Sequence, residues 1–285
     1  MKDITLVGGT GFLGQALARR LLERGRGVVI TSRRSDAEVP EGAVLAQALT
    51  PSQVVVNLAG EPIIGRWTAA KWARIEASRL DLTRSLVDSF GEDWPRTFVC
   101  ASAVGIYGDR GDEELTEASA LGQDRTAGLC IAWEGRAAEA RGARVVQARI
   151  GLVMGAEGGA LGALLTPFRL GLGGPVGGGG QWQPWIHLDD LVEGLIHCID
   201  VPMRGPVNLV SPNPVRQADF ARTLGGVLGR PAWLPAPAVA LRLALGEAAE
   251  LLLASQRVLP TKLLDSGFVF RHPDLEPALR DVVGG

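Results

Sequence analysis

Ile4-Thr5-Leu6-Val7 followed by Gly8-Gly9-Thr10-Gly11-Phe12-Leu13-Gly14 is the stretch that decides the fold. Its first four residues read as a buried strand, and the amphipathic run from Gln15 to Glu23 reads as a helix. A glycine turn between a strand and a helix is where a dinucleotide pyrophosphate rests on helix N-terminal N–H groups. Gly8 permits the tight turn, Gly11 the close approach of backbone to phosphate and Gly14 the contact between helix and strand. Gly9, Thr10, Phe12 and Leu13 complete the loop.

Outward from this motif, Val28 to Thr31, Val54 to Leu58, Thr97 to Ala101 and Val145 to Ile150 are short apolar runs separated by helical patterns. Such alternation predicts an α/β protein with a doubly wound parallel sheet, the NAD(P)-binding Rossmann fold. Thr68 to Phe90 predicts a long crossover helix, with Trp72, Ile75, Leu82, Leu86 and Val87 near helical spacing. The division expected is a Rossmann domain over residues 1–212 and a smaller, mostly helical C-terminal cap over 213–285, interrupted by Pro231, Pro235, Pro237 and Pro260. The glycine-rich run Gly171 to Gly180 is expected to loop around a ligand cleft. After Trp185-Ile186-His187-Leu188, Asp189 or Asp190 is expected to cap a helix.

Composition narrows the classes of function. A net charge of -2 over 285 residues offers no basic footprint for nucleic acid. Cys100, Cys130 and Cys198 are odd in number and widely spaced, so neither a disulfide framework nor a metal site is indicated. No apolar run approaches the ~18 residues of a membrane span, and no charged leader precedes the first strand. The expectation is a cytoplasmic protein acting on a small molecule, with no membrane or nucleic-acid partner and an oligomeric state the residues leave open.

The second strand carries the clue to the cofactor. An NAD site places an acidic residue about 20 positions beyond the glycines to bind the ribose 2′-hydroxyl, whereas this chain has Ser32-Arg33-Arg34. Guanidinium forks match a phosphate bidentately, so NADP(H) is expected in preference to NAD(H).

Further blocks carry a resemblance: Asn57-Leu-Ala-Gly-Glu-Pro62, Ser78-Arg79, Ala103-Val-Gly-Ile-Tyr-Gly108, Pro167-Phe-Arg-Leu-Gly-Leu-Gly-Gly174, Trp185-Ile-His-Leu-Asp-Asp190, Arg230-Pro231, Leu245-Gly-Glu247 and Gly267-Phe268. Together with the glycine turn they resemble the extended short-chain dehydrogenase/reductase superfamily, and within it an epimerase-type subgroup of atypical members. The resemblance spans nearly the whole chain. It implies that Leu58, Ala59 and Gly60 line the adenine and ribose, that Arg79 approaches the cofactor and that Val153 flanks the nicotinamide.

The resemblance fails where the superfamily keeps its chemistry. Active members use a tyrosine with a lysine one helical turn later. Here the corresponding segment is Gly128-Leu129-Cys130, and Ala132, Trp133 and Glu134 follow it. The chain's one tyrosine, Tyr107, comes too early, and its lysines are Lys2, Lys71 and Lys262. Ser102 is expected to polarise a carbonyl, with the proton passing through Glu134, Cys130, His187, Glu61 or a water. Ser102 and Glu134 are the catalytic candidates. Glu61, Arg66, Tyr107, Arg169, Trp185 and His187 are the candidate substrate pocket, which suits an anionic or aromatic small molecule. The function expected is an NADP(H)-binding oxidoreductase or epimerase that lacks the usual pair. The alternative is an NADP(H)-binding sensor or interaction protein with impaired catalysis.

Overall fold

Ile4, Thr5 and Leu6 have no exposed surface and Val7 has almost none, so the first strand is covered on both faces. A strand enclosed in this way belongs at the centre of a parallel sheet, with helices above and below. The computed structural model describes residues 4–32, 34–91, 95–156 and 158–284.

The strands are β1 (Ile4–Val7), β2 (Val28–Thr31), β3 (Val44–Ala46), β4 (Val54–Asn57), β5 (Thr97–Ala103), β6 (Glu114–Leu115), β7 (Arg144–Ile150), β8 (Leu152–Met154), β9 (Trp182–Gln183), β10 (Trp185–His187), β11 (Gly205–Leu209), β12 (Val215–Arg216) and β13 (Arg257–Val258). Seven of them form one parallel sheet in the order β11-β7-β5-β4-β1-β2-β3. The order reverses at β1, which pairs with β2 on one side and β4 on the other. Ligands of such sheets bind at that switch point, outside the carboxyl ends of the strands. Val7 lies level with Thr31 and Asn57 there, and the Leu58 N–H donates to the Val7 carbonyl at 2.8 Å.

The helices of the sheet region are α1 (Phe12–Glu23), α2 (Ala69–Asp88), α3 (Arg125–Ala138), α4 (Gly159–Arg169) and α5 (Leu188–Asp200). Leu17, Ala18 and Leu21 of α1, with Leu191, Leu195 and Ile199 of α5, pack against Ile4, Leu6, Val56 and Val99 on one face. Leu86 of α2 and Trp133 of α3 pack against Val55 and Phe98 on the other. The long helix starts where its sequence predicts, because Thr68 Oγ1 accepts from the Lys71 N–H at 3.2 Å.

The C-terminal region is helical, as expected: α6 (Gln217–Leu228), α7 (Ala238–Leu245), α8 (Glu250–Leu253), α9 (Thr261–Asp265) and α10 (Leu275–Gly284). Phe220 and Leu224 of α6 and Leu275 and Leu279 of α10 bury Trp185, Met154 and Leu161 in a second core. No helix among the described residues is long and apolar enough to cross a membrane.

The glycine-rich run lies against the tail: Leu234 N–H donates to the Gly173 carbonyl, Ala236 N–H to Pro175 and Gly177 N–H to Ala236. A Cβ on Gly174 would overlap the Leu234 backbone, which explains why only glycine fits. The cap of α5 is His187, whose Nδ1 accepts from the Asp189 N–H at 3.1 Å. Neither aspartate caps it. Asp190 is buried and turned away, accepting the Arg271 and His272 N–H groups at 2.7 and 2.8 Å, while Asp189 faces Arg20 and Arg271.

Asp190 therefore ties the tail to the sheet domain by two backbone bonds. Asp190→Asn presents an amide N–H₂ where one of those donors needs an acceptor, so unfolding in urea should show a loss of about 1.5 to 3 kcal/mol. An unchanged midpoint would rule out this tie.

Candidate functional site

At the switch point the glycines divide by what surrounds them. Gly8 has φ 83°, and a Cβ there would sit 2.6 Å from the Ala59 nitrogen. A Cβ on Gly9 would meet Ile30 at 2.8 Å, and one on Gly14 would overlap the Gly8 carbonyl and the Gly9 backbone. Gly11 differs: it is exposed, and the Gly8 oxygen at 3.4 Å is the single neighbour of a Cβ built on it. The Gly11 N–H closes the turn onto the Gly8 carbonyl at 3.1 Å, and Gly11 then becomes the N-cap of α1 with no side-chain cap. The first N–H groups of a helix lack intrahelical partners and carry partial positive charge. An open, side-chain-free face above such a terminus fits a pyrophosphate. Gln15 Nε2 donates to the Thr10 carbonyl, Phe12 lies beneath Gly155 and Gly158, and Leu13 packs on the core. Phe12 and Leu13 thus offer this face their backbone rather than their side chains.

At the end of β2, Ser32 Oγ accepts from the Arg34 N–H at 3.1 Å. Arg34 directs Nε and Nη2 at Asp36, 3.1 and 3.3 Å away, and this bond holds the Asp36 carboxyl below the usual carboxylate range. Both side chains are three-quarters exposed, and such pairs contribute little. Arg33 lies outside the described residues.

At the end of β4, Asn57 Oδ1 accepts from the Ala59 N–H at 3.2 Å, and Leu58 and Ala59 are half-buried beside the glycine turn. The Arg79 guanidinium covers Gly60, with Cζ 3.3 Å from where a Cβ would stand. Its Nη1 donates to the Glu61 and Ile75 carbonyls at 3.2 and 3.3 Å, and its charge lies 5.2 Å from the Trp133 ring. Arg79 therefore braces the loop after β4. Glu61 faces Arg74 at 3.3 Å, and Val153 lies nearly buried in β8.

The catalytic candidates meet. Ser102 Oγ donates to Glu134 Oε1 at 2.7 Å. Arg149, which the sequence reading did not single out, grips the same carboxylate with Nε and Nη2, both at 2.8 Å. Ser102 on β5 and Arg149 on β7 are register partners, which brings their side chains to one face of the sheet. In this structure the one proton of Ser102, expected to polarise a carbonyl, is directed at Glu134.

Three of the proposed pocket residues turn inward. Tyr107 has no exposed surface; its hydroxyl donates to Asn208 Oδ1 at 2.7 Å and accepts from Arg149 Nη1 at 2.9 Å. Burial raises its pKa despite the opposing Arg149 charge. Trp185 is fully buried, its Nε1 donating to the Asn213 carbonyl. His187 is spent on the helix cap. Arg66 and Arg169 are exposed, and Arg66 Nη1 donates to the Leu243 carbonyl at 3.3 Å. Burial pushes the Cys130 thiol up to about 12, which removes it as a base near neutrality.

His187, His272 and Asp281 each bring one possible ligand atom to within 4.8 Å of the others. Because His187 Nδ1 accepts the Asp189 N–H, the neutral ring carries its proton on Nε2, 3.3 Å from Asp281 Oδ2. A cation would need that nitrogen bare. Burial, and next the charge of His272, push the His187 pKa below its ordinary 6.5.

Two family models match the chain: the NAD dependent epimerase/dehydratase family over residues 4–210, and a domain of unknown function (DUF1731) over residues 236–282. The epimerase family protein YfhF of Bacillus subtilis (strain 168) is 39% identical over 297 residues, covering 99% of this chain and 98% of its own. The epimerase family protein SDR39U1 homolog, chloroplastic, of Arabidopsis thaliana is 38% identical over 299 residues, covering 98% of this chain and 86% of its own. The crystal structure of human epimerase family protein SDR39U1 (isoform 2) with NADPH superposes with a TM-score of 0.91 at 35% identity, over 99% of both chains.

The geometry sets two expected outcomes. Gly14→Ala should cost about 1 to 3 kcal/mol in urea unfolding by overpacking, while Gly11→Ala should leave the fold intact; equal losses would refute the division of roles. For His187 the unfolded chain takes up its proton first, so stability should fall as pH drops through about 6.5. His187→Asn, which keeps a cap acceptor, should flatten that fall, and an unaltered pH profile would count against it.

Proposed function

The chain belongs to the NAD-dependent epimerase/dehydratase family, and from that premise we propose that it binds NADP(H) for oxidoreductase or epimerase chemistry on a small molecule. The observation that carries this reading is the exposed Gly11 face above the N-terminus of α1, at the reversal of strand order. The backbone N–H groups from Phe12 to Gly14, at the first turn of α1, would hold the pyrophosphate. Ser32, Arg33 and Arg34 would hold the 2′-phosphate, and Leu58, Ala59 and Gly60 the adenosine side, with Arg79 keeping that loop in place. Val153 would flank the nicotinamide.

The NADPH in the human relative's structure supports the phosphorylated cofactor, as does the absence of an acidic residue at Ser32-Arg33-Arg34. When bound, the nicotinamide supplies or accepts a hydride. The chain's own task is then to hold the substrate and move a proton at its oxygen, and Glu134 is suited to that. Ser102 is 3% exposed, and the Arg149 and Glu134 side chains keep 4% and 11%. That difference supports Glu134 as the member of the group a ligand would reach, with Ser102 acting through it. Exposed Arg66 and Arg169 suit an anionic or aromatic substrate. The second reading, an NADP(H)-binding sensor, is favoured by the burial of the one tyrosine.

Fluorescence titration tests the cofactor assignment. NADPH should bind more tightly than NADH, and Arg33→Ala should weaken NADPH by about 1.5 to 3 kcal/mol. Gly11→Val should abolish binding while thermal unfolding stays cooperative. Equal affinities would remove the preference, and unaltered binding by Gly11→Val would place the nucleotide elsewhere.

A further inference from the structure

We propose that Arg149 is the positioning residue that stands in for the absent lysine. It reaches the site from the neighbouring strand, and it fixes Glu134 as the acid/base in place of a tyrosine. This rests on the chain carrying the chemistry proposed above.

The hydrogen-bond directions carry the argument. Glu134 receives Ser102 Oγ–H and Arg149 Nε–H on Oε1 and Arg149 Nη2–H on Oε2, at 2.7, 2.8 and 2.8 Å. Three donors converging on two oxygens suit the carboxylate form, with Oε2, which receives one of them, keeping room to take up a proton. A planar fork fixes the carboxylate plane as well as its position. Arg149 is itself fixed by Nη1, which donates to the Tyr107 hydroxyl at 2.9 Å, and that hydroxyl donates to Asn208 Oδ1 at 2.7 Å. The Asn208 N–H donates to Glu117 Oε1 at 3.0 Å and its Nδ2 to the Leu259 carbonyl at 2.9 Å. Tyr107 is thereby withdrawn from chemistry and made a brace.

The other titratable groups around Glu134 are Cys130 on its own helix and Cys100 on β5, both pushed up to about 12 by burial. Arg79 on α2 lies over the ring of Trp133, the residue before Glu134. Arg149 is the cation bonded to the carboxylate.

The proton movement follows. In the oxidative direction the substrate hydroxyl gives its proton to Glu134 as its carbon gives a hydride to the oxidised nicotinamide. The substrate O–H and C–H bonds would break as its C=O bond, the carboxyl O–H of Glu134 and a C–H bond on the nicotinamide form, and the carboxyl would then release its proton to water. The reductive direction reverses each transfer.

The test follows the Glu134 carboxyl by 13C NMR of the ligand-free, full-length protein labelled at glutamate Cδ, its resonance assigned by loss in Glu134→Gln. The carboxyl should be ionised at pH 7.5. Arg149→Met should raise its titration midpoint by about one pH unit or more, the size expected when an opposite charge at contact distance is removed. Arg149→Lys should restore most of the change, and Tyr107→Phe, which keeps the ring, should raise the midpoint by a smaller amount. A protonated Glu134 at pH 7.5, or a midpoint that neither Tyr107→Phe nor any folded Arg149 variant moves, would overturn the proposal. Should Arg149→Met fail to fold, the Lys and Phe variants decide it. NADPH titration of the same samples should give affinities within about threefold of the parent, because these residues act on the proton and not on the phosphates; a tenfold loss, 1.4 kcal/mol, in Tyr107→Phe would count against it. Absence of NADPH binding by the unaltered protein defeats the proposed function instead, and the carboxyl titration still reads Arg149.

Discussion

The constraint on which the rest of the structure depends is the close approach of three backbone segments at the carboxyl end of β1. Gly14 in α1 lies against the Gly8 carbonyl, and Gly8 lies against Ala59 in the loop after β4. No side chain fits at either contact. This lets the helix terminus descend to the switch point, places the loops after β1 and β4 side by side, and leaves Gly11 facing outward above unpartnered N–H groups. The ligand-facing geometry is a consequence of packing, because the same steric limit that forbids Cβ atoms behind the loop keeps its front open.

Further along the sheet, a buried charge has been accommodated by pairing. Arg149 stands near the end of a strand that is otherwise largely apolar, and burial alone would draw its pKa down. The bonds to Glu134 and Tyr107 outweigh that, so the net direction is upward and the guanidinium stays charged. Replacing such a pair with apolar residues is often neutral for stability, whereas removing one member strands the other. Stability is therefore a weak reason for this group to exist. Its position at the carboxyl ends of β5 and β7, the edge where ligands of this fold bind, is what supports the proposed chemical role.

The helical tail is connected to these elements through polar groups as well as the second core. Asp190 receives two tail N–H groups, and Gln256 donates to the Val104 and Gly108 carbonyls around the Tyr107 turn. The segment that holds Tyr107 in place thus lies far along the chain from it. Trp185, at the start of β10, is enclosed by α6 and α10, which explains why an aromatic residue in a strand-end motif became core instead of pocket wall.

The sequence by itself determined the elements whose causes are local. β1, the glycine turn and α1 follow from an apolar run, absent Cβ atoms and a helical period; α2 starts at Thr68 because a hydroxyl can cap its own first turn. Ser102 and Glu134 were identified by chain position. Tertiary structure decided what depends on which elements become neighbours. Glu134 meets Arg149 because β7 pairs in register with β5. A lone arginine in Val145-Val-Gln-Ala-Arg-Ile150 signalled that a partner was needed, since buried charge must be paired, but nothing in the run named the partner. His187 caps α5 because Asp190 is drawn away by backbone donors 81 and 82 residues distant. Tyr107 became a brace because Asn208, 101 residues on, lies within reach of its hydroxyl. Local sterics and periodicity act over a few residues and are legible in order; hydrogen-bond partners across a hundred residues are chosen by the sheet.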